Sequence, residues 1–444
     1  MGHEDTAVRT PVRRPPRPSP ARTARGPPRS PSPPRATMRR SPLLPIFLTV
    51  FVDVLGLTLV LPLLPFYAEH FGASELVVGV LAASYAVCQL VSGPILGRIS
   101  DRVGRKPTLL ASQTGTFIGF LVLGSASSLW MLFLGRIIDG LTAGNLTIAQ
   151  AYISDVTRPE ERTRAFGLIG IAFGSGFLLG PAITGELASR FGYGAPALGA
   201  AALSLTSILL TATLLPAKPI APAAARSLDV DAAEAGAARP ASDVRIGRGD
   251  AFRRFFDRPL ARRRLLEFFA FSLSFSTLIG GLALFLERRF AFGVKETGYI
   301  FAFSGLIGGS IQGGALGRLA RRYGEQRLAV VGFATMVIGY GLLGAAYGLP
   351  ALLLLVAVGA FGSAVVRPSI TTLLTKSVGR DEQGAALGVS QSLASISQIV
   401  GPIGAGWLIE HRALTAYGLM AATFAVVGLF LGAQKIPAGE PVEL

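Results

Sequence analysis

Twelve apolar runs of about 20 residues each order this chain from residue 43 to residue 434. A helix of that length crosses about 30 Å of hydrocarbon, and a soluble domain has no use for twelve of them. The runs are approximately 43–68, 75–97, 108–127, 129–152, 165–187, 194–216, 264–286, 297–317, 328–347, 350–373, 384–408 and 413–434. Only 15% of the 444 residues are charged, against about 25% in a soluble domain. Those charges concentrate in the connections. The stretch Gly97-Arg98-Ile99-Ser100-Asp101-Arg102-Val103-Gly104-Arg105-Lys106 holds five charges in ten residues, and the twenty or so residues on either side hold none. Such a stretch lies in water between two spans. The expected fold is an all-α polytopic membrane protein with twelve transmembrane helices. A signal-peptide reading of the first run fails, because that run is too long, contains Asp53 and precedes eleven more.

The chain also repeats itself. A weaker copy of the charged stretch, Gly317-Arg318-Leu319-Ala320-Arg321-Arg322-Tyr323-Gly324, lies 220 residues downstream. Gly180-Pro181 recurs as Gly401-Pro402, and Ala165-Phe166-Gly167 as Ala386-Leu387-Gly388, each 221 residues on. Three features at one offset divide the chain into two pseudo-symmetric six-helix halves, 43–216 and 264–434. Between them, 217–263 reads as a flexible cytoplasmic linker. Its end, Phe252-Arg253-Arg254-Phe255-Phe256-Asp257-Arg258, suits a short helix lying on the inner leaflet.

Charge orients the bundle. With the amino terminus inside, 35 Lys and Arg fall in cytoplasmic segments, and five, Arg190, Arg288, Arg289, Lys295 and Arg412, fall outside. This asymmetry places both termini, including a short tail at 435–444, in the cytoplasm. The net charge of +16 is thereby accounted for without a nucleic-acid partner. Residues 1–37 hold ten prolines and eight arginines with two acids, a composition that builds no core, so 1–42 reads as a disordered basic segment. Either Met38 is the true start, or the segment is a basic tail that touches anionic lipid. Cys88 is the only cysteine, which excludes disulfides and cysteine-based metal sites.

A charge within a span costs several kcal/mol and marks a functional candidate. Asp53 lies about 15 Å deep in span 1 at 1.5 Å per residue. Arg136 and Asp139 share a helix face in span 4, about 20 and 15 Å from the inner side. Two acids around one guanidinium leave one excess negative charge, and the neutral state binds one proton. A buried salt bridge that fixes helix packing is the alternative reading. Positions 274 and 357, the repeat images of Asp53 and Arg136, are Ser274 and Ala357, so the ion chemistry belongs to the first half.

These motifs carry a family resemblance. G-x-x-x-D-R-x-G-R-K at 97–106 resembles the loop between spans 2 and 3 of the major facilitator superfamily of secondary transporters. Asp53-Val54-Leu55-Gly56 with Pro62-Leu63-Leu64-Pro65 resembles the first span of its tetracycline-efflux group of drug:proton antiporters. Leu134-Gly135-Arg136 with Gly140 resembles the fourth-span motif, whose arginine the resemblance implicates in proton coupling. Gly176-Phe177-Leu178-Leu179-Gly180-Pro181-Ala182-Ile183-Thr184-Gly185 resembles the fifth-span antiporter signature, with Thr184 where glycine is usual. The resemblance implies that Gly97, Asp101, Arg102, Gly104, Arg105 and Lys106 form a gate, with Asp101 near Gly384 of the other half in the outward-facing state. A plain solvated connector is the alternative. It also implies acids in spans 3 and 9, which are missing: the aligned part of span 3 is Phe117-Ile118-Gly119-Phe120, and span 9 has none. Tetracycline is therefore not the expected substrate.

The candidate substrate pocket comprises Tyr85 and Gln89 on span 2, Asn145 and Gln150 on span 4, Phe275, Ser304, Arg367, and Gln391 and Ser395 on span 11. Polar stripes of this kind also serve helix–helix bonding. Arg367 either faces an anionic substrate or snorkels to an interface. No catalytic or metal site is expected, because the three histidines, His3, His70 and His411, lie outside the spans and no nucleophile–base pairing or Walker motif occurs. The sequence reads as an inner-membrane, monomeric, cofactor-free antiporter that exports small lipophilic compounds against protons. A proton-coupled importer and a non-transporting scaffold are the alternatives.

Overall fold

The computed structural model describes Gly2 and residues 43–156, 162–215, 248–379 and 382–434. Residues Pro42–Leu444 form one compact unit. The expected basic amino-terminal segment, most of the linker and the 435–444 tail lie outside the described residues. Among the described residues every regular element is helical, as hydrocarbon demands of a backbone that must bond to itself.

Ten helices are long and apolar enough to cross a membrane. They are span 2 (Glu75–Val103), span 3 (Arg105–Gly124), span 5 (Arg162–Phe191), span 6 (Gly194–Leu214), span 7 (Pro259–Phe290), span 8 (Val294–Tyr323), span 9 (Glu325–Ala345), span 10 (Leu349–Lys376), span 11 (Gln383–Glu410) and span 12 (Leu414–Ala433). Span 1 is bent: Leu43–Val60 and Leu63–His70 meet at 42°, where Pro62 supplies no N–H to the ladder. The fourth run differs from expectation. It is two helices, Leu129–Leu141 and Asn145–Val156, of 13 and 12 residues. Each is only about 20 Å long, too short to cross alone. The pattern is consistent with twelve crossings, two of them broken.

The repeat is visible in the helix pairings. Spans 1·5, 1·6, 2·4, 3·4 and 3·6 pack in the first half, and spans 7·11, 7·12, 8·10, 9·10 and 9·12 repeat them in the second. Two seams, 2·11 and 5·8, join the halves extensively, and each is the repeat image of the other.

Glycine brings these seams to backbone contact. A Cβ on Gly305 would lie 2.5 Å from the Phe177 carbonyl oxygen, and one on Gly185 would lie 2.9 Å from Lys295 Cα. Gly298 meets the Pro181 carbonyl, Gly79 meets that of Pro402, and Gly406 meets that of Glu75 in the same way. All these contacts lie in the half of the bundle away from the basic loops.

Ion pairs clasp the same end. Glu186 of span 5 accepts from Lys295 at 3.0 Å and from the Tyr299 hydroxyl at 2.6 Å. On the other seam, Glu410 accepts from the Leu76 amide at 3.0 Å and the Ser74 hydroxyl at 3.2 Å. Arg288 reaches across to Glu75 at 3.0 Å and to Glu69. This arginine ran against the charge rule in the sequence, and it has three acids, Glu287 included.

The basic end is open. There, Gly93 and Gly97 of span 2, Gly170 of span 5, Gly313 and Gly314 of span 8, and Gly384 and Gly388 of span 11 have nothing within 4 Å of a would-be Cβ. The hydrophobic cores agree. One cluster at the clasped end draws on both halves, from Leu59, Leu81 and Phe120 to Leu282, Phe285 and Tyr417. Toward the basic end the halves keep separate cores, around Tyr152 and Ile169 in one and Phe255 and Leu393 in the other.

The linker helix Arg248–Asp257 forms where aromatic and basic residues alternate, but it docks on protein. Phe255 is fully buried against Ala261, Leu374 and Val389, and Arg254 and Arg258 pair with Glu382 at the start of span 11. Expectation had placed this helix on lipid. The buried acid at 382, which lies far away in sequence, decides otherwise.

Gly298→Leu is expected to pry spans 5 and 8 apart. In a Cys88→Ala background, Val294→Cys should go from unlabelled to labelled by a membrane-impermeant maleimide when Gly298→Leu is added. Continued protection would show that the seam does not depend on backbone contact.

Candidate functional site

The first helix of span 4 carries Arg136 and Asp139 one turn apart. Arg136 Nη1 lies 3.0 Å from Asp139 Oδ2, and both residues are buried. Span 3 offers Gly119 at this level, where a Cβ would come within 3.0 Å of Asp139 Cβ. The missing side chain lets the two helices close over the pair. The guanidinium also stacks 4.3 Å above the Tyr85 ring, a cation–π contact strengthened by desolvation. Gln89 donates to the Tyr85 hydroxyl at 3.2 Å. Tyr85 and Gln89 are therefore organised around the charge pair as its supports.

Asp53 stands apart from that bridge. It faces Ser207 of span 6 and Gln113 of span 3, with Asp139 near enough to act on it by charge. Gln113 Nε2 donates to Ser207 Oγ at 2.7 Å, and Ser204 Oγ donates to the Gln113 carbonyl at 3.2 Å. These residues tie spans 1, 3 and 6 into one polar layer, which the sequence reading missed. Asp53 Oδ1 and Arg136 Nε are both buried without a hydrogen-bond partner. The expected ring of two acids around one guanidinium is thus an ion pair plus a nearby carboxyl with an unsatisfied oxygen, in a residue that is itself partly exposed.

The two breaks are held by hydroxyls. At the span 4 break, Ser112 of span 3 donates to the Thr142 carbonyl and accepts from the Gly144 amide at 3.1 Å. At the span 1 bend, Thr184 donates to the Leu59 carbonyl at 2.6 Å, and Thr58 donates to the Gly176 carbonyl at 2.9 Å. Thr184, the departure from the fifth-span signature, therefore repairs a bent neighbour. Gly176 and Gly180 make room for Val54 and Thr58 of span 1, while Pro181 and Gly185 face span 8. One motif packs both inside its half and across the seam.

The ten-residue loop at 97–106 is barely a loop. Span 2 continues to Val103 and span 3 begins at Arg105, because Gly104 adopts φ +112° and reverses the chain in one residue. Arg105 pairs with Asp101 at 2.6 Å and Asp155 at 2.8 Å. Lys106 donates to the Ala212 and Leu215 carbonyls at 2.7 Å, at the end of span 6. Arg102 is exposed. These contacts stay within the first half, and Gly384 lies clear of any neighbour.

The remaining candidates scatter. Asn145 Oδ1 is buried without a partner, and Gln150 is exposed. Gln391 is exposed on the open half of span 11, while Ser395 is buried and returns its hydroxyl to the Gln391 carbonyl. Phe275 and Ser304 line a cleft of about 430 Å³ among spans 7 to 10. Arg367 is exposed on span 10. Among the described residues, no cluster of His, Cys, Asp and Glu suits a metal ion.

Known proteins agree with this geometry. The family model described as the Major Facilitator Superfamily matches residues 46–316 and 313–443. The chain is 32% identical to the class C tetracycline resistance protein of Escherichia coli over 81% of this chain and 88% of that protein. It is 27% identical to major facilitator superfamily domain-containing protein 10 of Mus musculus, over 93% and 96%. Among solved structures, the human organic anion transporter of that name superposes with a TM-score of 0.65 at 23% identity, covering 88% of this chain and 98% of that one. A nucleoside transporter gives 0.66 at 17%, covering 88% and 98%.

Ser112→Ala removes a side chain that serves two backbone groups at the span 4 break. It should destabilise the protein by about 1–3 kcal/mol, read as a lower unfolding midpoint in detergent. An unchanged midpoint would assign the break to other contacts.

Proposed function

The chain belongs to the major facilitator superfamily and is a multi-pass membrane transporter of small molecules, not an enzyme; we propose that it is a proton-coupled antiporter that exports lipophilic organic compounds across the cytoplasmic membrane. One observation carries the proposal. A partly exposed acid, Asp53, keeps an unpartnered buried oxygen beside an ion pair that has closed on itself. A purely structural bridge needs one acid for Arg136, and Asp139 supplies it. The second acid gives the site a place for one proton.

The excess of Lys and Arg assigns the basic end to the cytoplasm, so this conformation is inward-open and sealed outside. In the proposed cycle, substrate enters from the cytoplasm as Asp53 releases its proton inward. The halves then rock about seams 2·11 and 5·8. The outer clasps at Glu186, Glu410 and Arg288 part, and the stretch at 97–106 closes toward span 11. Substrate leaves, and a proton from outside neutralises Asp53 for the return. Each proton moving along 100 mV contributes about 2.3 kcal/mol. The transporter acts as a monomer and uses no cofactor besides the gradient.

The relatives named for tetracycline resistance make that drug the sharpest control. A metal–tetracycline chelate is cationic, and the site offers Asp53 and Asp139 with Arg136 opposing. Expression in a pump-deficient host should raise tolerance to neutral or weakly charged lipophilic compounds more than to tetracycline. Asp53→Asn should abolish transport driven by a pH gradient in vesicles, while exchange without a gradient survives. Full gradient-driven transport by Asp53→Asn would remove Asp53 from the coupling. Tetracycline tolerance that depends on Asp53 would restore the drug as a substrate.

A further inference from the structure

Arg367 stands without an acid inside a membrane-spanning helix. It lies nine residues from the end of span 10 at Lys376, or about 14 Å deep. The other deep cations have carboxylates: Arg136 has Asp139, and Arg264 has Glu267. The Arg367 guanidinium has no hydrogen bond or ion pair among the described residues, and only burial acts on it. Lipid exposure does not explain this. Leu354 marks the lipid face of span 10 at 65% exposure, and at 100° per residue Arg367 points about 140° away from it. It falls instead within about 20° of Val356 and Ala360, which line the cleft among spans 7 to 10. Arg367 is nonetheless exposed, as a residue on an interior face must be when that face borders an opening.

Two further features meet it there. The cleft, about 430 Å³, is walled by Phe275, Phe301, Tyr340 and Val356, with Ser304 and Ser363 as its hydroxyls. That volume falls within the usual range for small-molecule sites. Ser363 lies one turn from Arg367 on the same stripe. At matching depth on span 8, the helix widens into a π turn, Ile311–Ala315, which packs against span 10 and leaves Gln312 exposed. π turns inside α-helices occur frequently at functional sites.

We propose that Arg367 is a specificity-determining residue for amphipathic organic acids, whose carboxylate it binds while their apolar body enters the Phe275–Phe301 cleft. An unpaired guanidinium at this depth costs several kcal/mol. A carboxylate fits it with two parallel hydrogen bonds, and charge makes these about twice as strong as neutral ones. The inference rests on the export reading above and narrows its substrate class from neutral lipophiles to lipophilic acids.

The test is binding to the purified full-length protein, without any gradient. The probes are 1-pyrenebutyrate, an aromatic body with a carboxylate, and its methyl ester. Wild type should bind the acid about tenfold or more tighter than the ester. Arg367→Gln should abolish that preference and leave ester affinity unchanged, and Arg367→Lys should keep part of it. Equal affinity for acid and ester in wild type, or a preference that survives Arg367→Gln, would overturn the proposal. Should Arg367→Gln fail to fold, the wild-type comparison and Arg367→Lys still decide. Displacement of the acid by phosphatidylglycerol in nanodiscs, at equal concentration, would give Arg367 to a lipid headgroup and also overturn it. Asp53→Asn should retain the acid preference. Its loss of gradient-driven transport tests the coupling separately, so either idea can fail alone.

Discussion

A bilayer offers a backbone amide no partner, and the structure follows from that constraint. Each break in a spanning helix exposes carbonyls and N–H groups that water cannot reach, and each described break is answered by a hydroxyl from a neighbouring helix. Ser112 serves the gap between Leu141 and Asn145. Thr184 and Thr58 serve the bend of span 1 and the helix beside it. The breaks are therefore shared property of two helices. They occur where span 1 carries Asp53 and span 4 carries Arg136 and Asp139, so bent helices and buried charge lie in the same layer of the first half.

The same constraint favours close backbone approach, since helices in lipid gain little from burying apolar surface against each other. Glycine at Gly79, Gly406, Gly298 and Gly305 lets the halves touch along two seams. Glutamates at equivalent ends clasp them, Glu410 on one and Glu186 on the other. Contacts at one end and none at the other give a hinge. The shared core at the clasped end and the divided cores at the basic end show the same asymmetry in apolar packing.

Charge in the interior is handled differently in the two halves. In the first, Arg136 is neutralised by Asp139 and steadied by Tyr85, and Asp53 is left to a polar layer with one oxygen unsatisfied. In the second, the repeat positions are Ser274 and Ala357, and Ser274 simply bonds to the Ala421 carbonyl. Arg367 stands on that side without an acid. One half is built around a carboxyl and the other around a cation, an asymmetry laid over a symmetric fold.

Much of this was legible in the sequence, because hydrocarbon thickness and the cost of buried charge act on single residues. The length of each run, the repeat offset of 220–221 residues and the identity of Asp53, Arg136 and Asp139 as intramembrane charges needed no coordinates. The Arg136–Asp139 pair followed from helical spacing alone. What depended on distant segments did not. That Asp53 sits with Ser207 and Gln113, that Tyr85 supports the arginine, that Arg254 and Arg258 dock on Glu382, and that Phe275, Ser304 and Arg367 share a stripe and a cleft are facts about residues tens to hundreds of positions apart. The sequence by itself determined which groups had to be buried in a membrane and how many times the chain crosses it. Only the tertiary structure decided which of those groups meet, because pairing in a bundle is set by how helices rotate and cross, and local spacing carries no record of either.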